Sequence, residues 1–331
     1  MSYIYHSKDL SQFSFLVTGG AGFIGSNIVK YLVQHNAGKI RIIDNLCNGY
    51  KYNIEEYLQL SNVEFIEADL TDIEVCKKAV IGIDFISHQA ALGSVPRSIV
   101  NPIATHNANV NAFMNLMVAA KDAGVKRLVY ASSSSVYGDS KTLPKVEDKI
   151  GNALSPYAVS KRVDELYAEV FYKTYNFPTI GLRYFNIYGP NQSPEGAYAA
   201  AIPLFMKALL RNQSPTIFGD GLQTRDFTFV ENAVQANIRA MLCDDENAYG
   251  QFFNIACGER TSILDMFQIL KKYAGATVEP TFKEERKGDV RDSLADISKA
   301  KNLLGYEPKV FFDEGLKITL AWFKNSRYNI D

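Results

Sequence analysis

Phe13-Ser-Phe-Leu-Val-Thr-Gly-Gly-Ala-Gly-Phe-Ile-Gly-Ser26 passes from a short apolar run straight into glycines at positions 19, 22 and 25. Phe13 to Thr18 reads as a buried strand. Ile24, Ile28, Tyr31 and Leu32 then recur at helical spacing up to Gln34. Glycines between a strand and a helix allow a tight turn and a close backbone approach to a diphosphate at the helix N-terminus. A glycine pattern alone is weak, because turns use glycine for backbone reasons. Its strand–turn–helix setting makes it a dinucleotide signal. Gly19, Gly22, Phe23, Ile24 and Gly25 are therefore candidate cofactor-binding residues.

Working outward, Lys39-Ile-Arg-Ile-Ile-Asp44 reads as a second strand that ends in an acid. A ribose 2′-hydroxyl needs a carboxylate acceptor there, and a 2′-phosphate would be repelled, so Asp44 favours NAD over NADP. The alternative is a strand-end Asp that caps Asn45-Leu46. The alternation continues with strands at Val63–Glu67, Asp84–His88, Arg127–Ser132 and Thr179–Tyr184, and helices at Thr71–Val80 and Pro102–Ala123. This order predicts an α/β fold, a Rossmann-type doubly wound parallel sheet with both faces covered. Ligands then bind beyond the carboxyl ends of the strands. Asn45, Asp69, Leu70, Gln89, Ala90, Ala91 and the run Ser132–Ser135 sit at such ends. Past Tyr184 the rhythm breaks: Asn186 to Pro203 is loop-like, and Asp226–Val230 and Gln251–Ile255 read as later strands. The expected division is a nucleotide-binding domain over 1–185, which strands near 226–256 can join, and a smaller mixed α/β substrate lobe over 186–331.

Bulk properties narrow the class. The 331 residues are 47% hydrophobic with a formal net charge of -1, so no basic excess suggests nucleic acid. Met1 to Phe13 lacks a signal-peptide core, and no apolar run is long enough for a bilayer. Cys47, Cys76, Cys243 and Cys257 have no paired spacing, which suits reduced thiols and a cytoplasmic enzyme. The four histidines are equally scattered, so no metal site is expected.

Chemistry is carried by Tyr157-Ala-Val-Ser-Lys161, inside Leu154–Arg162. If Pro156 opens a helix, Tyr157 and Lys161 stand one turn apart on one face. A free phenol titrates near pH ~10 and is a poor base, and a fixed ammonium beside it favours the phenolate. The alternative is an amphipathic helix with one exposed lysine. Tyr137-Gly-Asp-Ser-Lys141 has the same spacing, but Gly138 argues against a helix there.

Taken together, these segments make the chain resemble the extended short-chain dehydrogenase/reductase family, specifically its NAD-dependent sugar epimerases. The resemblance runs through T-G-G-A-G-F-I-G at Thr18–Gly25, D-N at Asp44-Asn45, A-D-L at Ala68–Leu70, S-S-S-S-V-Y-G at Ser132–Gly138, Y-A-V-S-K at Tyr157–Lys161 and R-Y-F-N-I-Y-G-P at Arg183–Pro190. It implies a catalytic set of Ser133, Tyr157 and Lys161, with tightly bound NAD also contacted by Asn109, Lys161 and Tyr184. Ser134-Ser135 stands where dehydratases and decarboxylases of the family carry an acid, which leaves epimerisation at C4 as the implied reaction. In it, Tyr157 takes the proton of the sugar 4-hydroxyl and a 4-keto sugar turns over before reduction.

The resemblance also implies the substrate. Arg225 and Arg286 match diphosphate-binding arginines, Thr216-Ile217-Phe218 matches the segment that holds uracil, and Asp289 matches the acid on its ribose. Ser293 and Ala200 replace a bulky Tyr and an Asn of plain-hexose enzymes and leave room for a 2-acetamido group. With Gly93, Ser94, Ser133, Ser134, Asn186, Gln192 and Ala201 they complete a pattern similar to that of UDP-N-acetylglucosamine 4-epimerases. The expected reaction interconverts UDP-GlcNAc and UDP-GalNAc. The alternatives are a UDP-N-acetylglucosaminuronate or UDP-glucuronate 4-epimerase and, in another class, a non-catalytic NAD-binding sensor. The resemblance also implies a homodimer through a helix bundle formed by Pro102–Ala123 and Ser155–Tyr175, where Phe113 and Tyr167 read equally as exposed contacts or as core residues.

Overall fold

The structure, a computed structural model, describes residues 3–195, 199–285 and 291–329. The first half of the chain gives β1 (Ser14–Thr18), α1 (Phe23–Gln34), β2 (Lys39–Asp44), β3 (Val63–Glu67), α2 (Ile73–Ala79) and β4 (Phe85–His88). It continues with α3 (Val95–Val100), α4 (Pro102–His106), α5 (Ala112–Asp122), β5 (Arg127–Ser133), α6 (Pro156–Tyr175) and β6 (Thr179–Tyr184). The second half adds β7 (Ile187–Tyr188), α7 (Ala201–Leu210), β8 (Thr216–Phe218), β9 (Thr224–Arg225), β10 (Thr228–Phe229), α8 (Val230–Leu242) and β11 (Gln251–Ile255). The remaining elements are β12 (Thr261–Ser262), α9 (Ile263–Ala274), β13 (Thr281–Lys283), α10 (Ser298–Leu304) and α11 (Phe312–Lys324).

Seven parallel strands form the main sheet in the order β11-β6-β5-β4-β1-β2-β3. The order reverses between β1 and β4, which opens a crevice at their carboxyl ends. Strands covered on both faces are buried along their length: β1 is apolar over Phe15–Val17, and β6 is buried at every residue, Arg183 included. One face packs on α1 and α8 through Ile28, Leu32, Val234 and Ile238. The other packs on α2, α5 and α6 through Cys76, Leu116, Met117 and Phe171. A separate core of Phe205, Phe227, Phe267 and Phe312 holds the second layer, with its two-stranded sheets β10-β7, β12-β9 and β13-β8. That layer is interrupted in sequence, because α8 and β11 return to the main sheet.

Two expectations need correction, and one open alternative is resolved. The helix over Pro102–Ala123 is not uniform: a π-helical turn at Asn107–Asn111 separates α4 from α5. Of Asp226–Val230 only Thr228–Phe229 is extended, and Val230 starts the 13-residue α8. This helix escapes a hydrophobic-periodicity reading because its buried face includes Asn232, Gln235 and Asn237. Phe113 is 0% exposed in the core, whereas Tyr167 is 41% exposed.

Candidate active site

At the end of β1, Gly19 has φ +62, and a Cβ on it would lie 2.6 Å from the Ala90 backbone nitrogen. A Cβ on Gly25 would lie 2.2 Å from the Gly19 carbonyl oxygen. The turn is thus closed by backbone approach that only glycine permits. Gly22 occupies the N-cap of α1 and offers no side-chain cap, so the first-turn N–H groups remain available to an anion. Asp44, at the end of β2, accepts hydrogen bonds from the N–H groups of Ala21 (3.0 Å) and Leu46 (2.8 Å). Burial raises its pKa, and these N–H groups oppose the rise. It therefore caps its own loop and also faces the crevice. Burial pushes Asp69 up, but hydrogen bonds from Thr71 and Asn45 outweigh it and leave the pKa below the ordinary range.

Gly19, Gly22, Gly25, Asp44 and Asp69, with Phe23, Ile24, Asn45, Leu70, Gln89, Ala90 and Ala91, line one cavity of about 1050 Å³. Ligand pockets usually span ~300–1,000 Å³, so this one is at the upper end of the range. The cradle closed by Gly19 and Gly25, the uncapped helix start and the strand-end acid fit a dinucleotide.

The same cavity is lined by Ser133, Ser134, Tyr157, Lys161 and Tyr184. Ser155 caps α6 by accepting from Ala158 N–H (3.1 Å), and Pro156 occupies its first turn, so Tyr157 enters the helix at the cavity wall. Above its phenol, Gly93 leaves space: a Cβ there would be 4.0 Å from the Tyr157 hydroxyl. Lys161 is no exposed lysine. It is 2% exposed and its ammonium donates to Asp164, itself 1% exposed, at 3.2 Å. Burial raises the Asp164 pKa to about 7, against the opposing pull of Lys161. His88, on β4, is driven down to about 3 by burial and then by the Lys161 charge, so it is neutral. Ser133 ends β5, and its hydroxyl accepts from Ser135 N–H (3.1 Å). The Tyr137 hydroxyl is engaged elsewhere: it donates to Asn254 (2.6 Å) and accepts from Arg183 (3.0 Å).

Gly93, Ser94, Asn186, Gln192, Ala200, Arg225 and Ser293 line the cavity too. Ala201 and Thr216-Ile217-Phe218 do not. They line an adjoining cavity of about 480 Å³ that shares Asn186, Gln192, Ala200 and Arg225 with the first. Asn109 lines neither cavity. Fully buried in the π-helical turn, it accepts from Leu92 N–H (2.8 Å) and donates to Ser160 (3.0 Å), so it braces the loop before Gly93. Arg286 and Asp289 lie outside the described residues. Buried polar atoms without a protein partner remain on Ser135 (Oγ) and Gln192 (Oε1), both in cavity-lining residues.

The sequence reading missed the scaffold beneath the site. Glu165, on α6, accepts from Arg183 through Nε (2.7 Å) and Nη2 (2.9 Å), from Ser132 (2.6 Å) and from Arg162 (3.0 Å). Asn237 of α8 donates to the Tyr184 hydroxyl (2.7 Å) and accepts from Gln89 (3.0 Å). Alternating polar and apolar residues gave no signal for either. The loop Leu46–Tyr50, which lines the Asp44 end, was also missed, although Leu46 adopts φ 56. Among the described residues no metal-holding cluster of three or more His, Cys, Asp or Glu occurs, and no helix is long and apolar enough to cross a membrane.

The chain is similar to known proteins over most of its length. The family model described as NAD dependent epimerase/dehydratase family matches residues 15–256. The UDP-glucose 4-epimerase of Mycolicibacterium smegmatis is 36% identical over 312 residues, 94% of this chain and 98% of its own. A solved structure of UDP-N-acetylglucosamine 4-epimerase from Methanobrevibacter ruminantium M1, in complex with UDP-N-acetylmuramic acid, superposes with a TM-score of 0.89 at 37% identity, covering 95% of this chain and 98% of that one. UDP-glucuronic acid 4-epimerase from Bacillus cereus, in complex with UDP-glucuronic acid and NAD, gives a TM-score of 0.87 at 33% identity, covering 94% and 99%.

Proposed function

The chain belongs to the NAD-dependent epimerase/dehydratase family, and within it we propose that the protein is a UDP-sugar 4-epimerase that interconverts UDP-GlcNAc and UDP-GalNAc. Its cofactor is NAD. The relatives divide among UDP-glucose, UDP-N-acetylglucosamine and UDP-glucuronate. The observation that carries the N-acetyl reading is the cavity wall itself, which has small side chains at Ala200 and Ser293.

When bound, NAD⁺ supplies an acceptor and then a donor of hydride for the sugar carbinol. The residues do the rest. Tyr157 removes the proton from the 4-hydroxyl and returns it after the sugar has turned, and Ser133 holds the same oxygen. Lys161 stands one helical turn from Tyr157, on the same face of α6. Ser134-Ser135 offers no carboxyl group for elimination. Arg225, which lines both cavities, serves the diphosphate, and the smaller cavity beside Thr216–Phe218 receives the uracil. Arg286 and Asp289 are proposed to complete that anchor. Anchoring remote from C4 supplies binding energy that survives rotation of the sugar.

A homodimer through α4, α5 and α6 is part of the proposal, supported by exposed Ile103, Val159, Leu166, Tyr167 and Val170 on that face. Light scattering coupled to size exclusion tests it, and a monomer at micromolar concentration contradicts it.

The deciding experiment incubates purified protein with UDP-GlcNAc, without added NAD, followed by sugar-nucleotide chromatography. UDP-GalNAc should appear, and Tyr157→Phe should slow its formation by about 10²-fold or more with bound NAD unchanged. Equal catalytic efficiency on UDP-galactose and UDP-GalNAc would remove the N-acetyl preference. No epimerisation of either sugar would remove the 4-epimerase reading.

A further inference from the structure

Lys145 forms part of the wall of the large cavity and is only 4% exposed. Its ammonium donates one hydrogen bond, to the Ser140 carbonyl. Burial pushes its pKa down, and among the described residues no carboxylate opposes that shift. An ammonium has three donors. A buried charge with no counter-charge is strongly disfavoured unless a ligand supplies one.

The main chain fixes which end of the cavity this cation serves. Lys145 N–H donates to the Leu294 carbonyl (2.7 Å), and Asp296 N–H donates to the Lys145 carbonyl (2.9 Å). Lys145 therefore lies alongside the segment that begins with Ser293, another cavity residue. Its acceptor, Ser140, closely follows the Ser133–Gly138 strip at the end of β5. Asp44 and Asp69 are across the switch point, beyond β2 and β3. The cation belongs to the sugar end.

On a UDP-sugar the diphosphate is served by arginine, position 2 carries the acetamido group, and position 4 faces the catalytic residues. The exocyclic carbon, C6, is the position whose oxidation yields a carboxylate. We propose that Lys145 reads a carboxylate at C6, so that the site epimerises the N-acetylhexosaminuronate nucleotide as well as the neutral sugar. The inference rests on the 4-epimerase reading above.

The test measures kcat/KM for UDP-GlcNAc and for UDP-GlcNAcA with the holoenzyme, its Lys145→Met variant and its Lys145→Arg variant. The wild type turns over both. Lys145→Met, which keeps the apolar stem, lowers efficiency on the uronate by about 10- to 100-fold, as expected for loss of a charged hydrogen bond. It leaves the neutral substrate within about threefold, and Lys145→Arg restores most of the uronate activity. An equal fall on both substrates in Lys145→Met means a structural strut and overturns the proposal. A wild type active on UDP-GlcNAc but inactive on UDP-GlcNAcA overturns it without any variant, and leaves the 4-epimerase reading standing. Inactivity on both overturns the two together.

Discussion

Replacing Glu165 by Gln removes one charge from beneath the active site while keeping its shape. Arg183 and Glu165 are both 0% exposed and share two hydrogen bonds, so the substitution leaves a buried guanidinium without its counter-charge. Breaking a buried pair in this way costs about 3–5 kcal/mol. Unfolding entropy of ~2.1 cal/mol/K per residue amounts to roughly 0.7 kcal/mol per kelvin for a chain of this length, so Tm should fall by about 4–7 °C. Ser132→Ala, which removes one hydrogen bond to the same carboxylate, should cost about 1 kcal/mol and a degree or two. Glu165 also ties α6, which carries Tyr157 and Lys161, to β5, which ends in Ser133. A displacement of ~1 Å between them can cost up to 10²-fold in rate, so kcat should fall by about tenfold or more. Differential scanning fluorimetry and steady-state epimerisation measure the two effects. If Glu165→Gln melts within about 2 °C of the wild type and keeps kcat, the network is not what registers the proposed catalytic residues.

Three further predictions concern the cavity. Gly25→Ala would place a methyl 2.2 Å from the Gly19 carbonyl; the purified variant should release little or no NAD on denaturation, and wild-type stoichiometry would contradict the cradle. Ser293→Tyr should lower kcat/KM for UDP-GalNAc by about tenfold or more while sparing UDP-galactose, and a parallel loss on both would count against a steric role. Asp164 holds its proton up to about pH 7 in the fold against an ordinary value of 3.8. Between these values the unfolded chain ionises first, so the carboxyl makes wild-type stability fall as pH rises through the window, and the loss is complete above it. Asp164→Asn lacks that dependence; its stability relative to the wild type, from urea denaturation, should rise between pH 4 and pH 8, and a constant difference would argue against a buried, undercompensated acid.

Much of the cofactor end was legible because its signals are local. Gly19, Gly22 and Gly25 sit between a strand and a helix, and Asp44 closes the next strand, so spacing alone implied their neighbourhood. The strands themselves were readable because burial on both faces demands unbroken apolar runs. What stayed hidden depends on partners distant in sequence. The role of Glu165 needs Arg183 and Ser132, that of Asn237 needs Gln89 and Tyr184, and α8 conceals its pattern by burying polar side chains that satisfy one another. Asn109, assigned to the cofactor by resemblance, has a second task that only the fold reveals: it holds the backbone of Leu92. Lys145 gave no sequence signal, because its position by the cavity depends on pairing with the segment around Ala295.

The seventh strand of the main sheet comes late. β11 pairs with β6 along its whole length, but roughly 70 residues of other structure separate the two in the chain. On a ribosome adding ~5–20 residues per second, β6 therefore waits about 4–14 s as an open edge. Ile180 and Leu182, fully buried in the finished protein, flank that edge. An exposed apolar edge strand pairs readily with any chain that offers another. The time for which this edge stays open is thus set during synthesis, by the length of the excursion that builds the second layer.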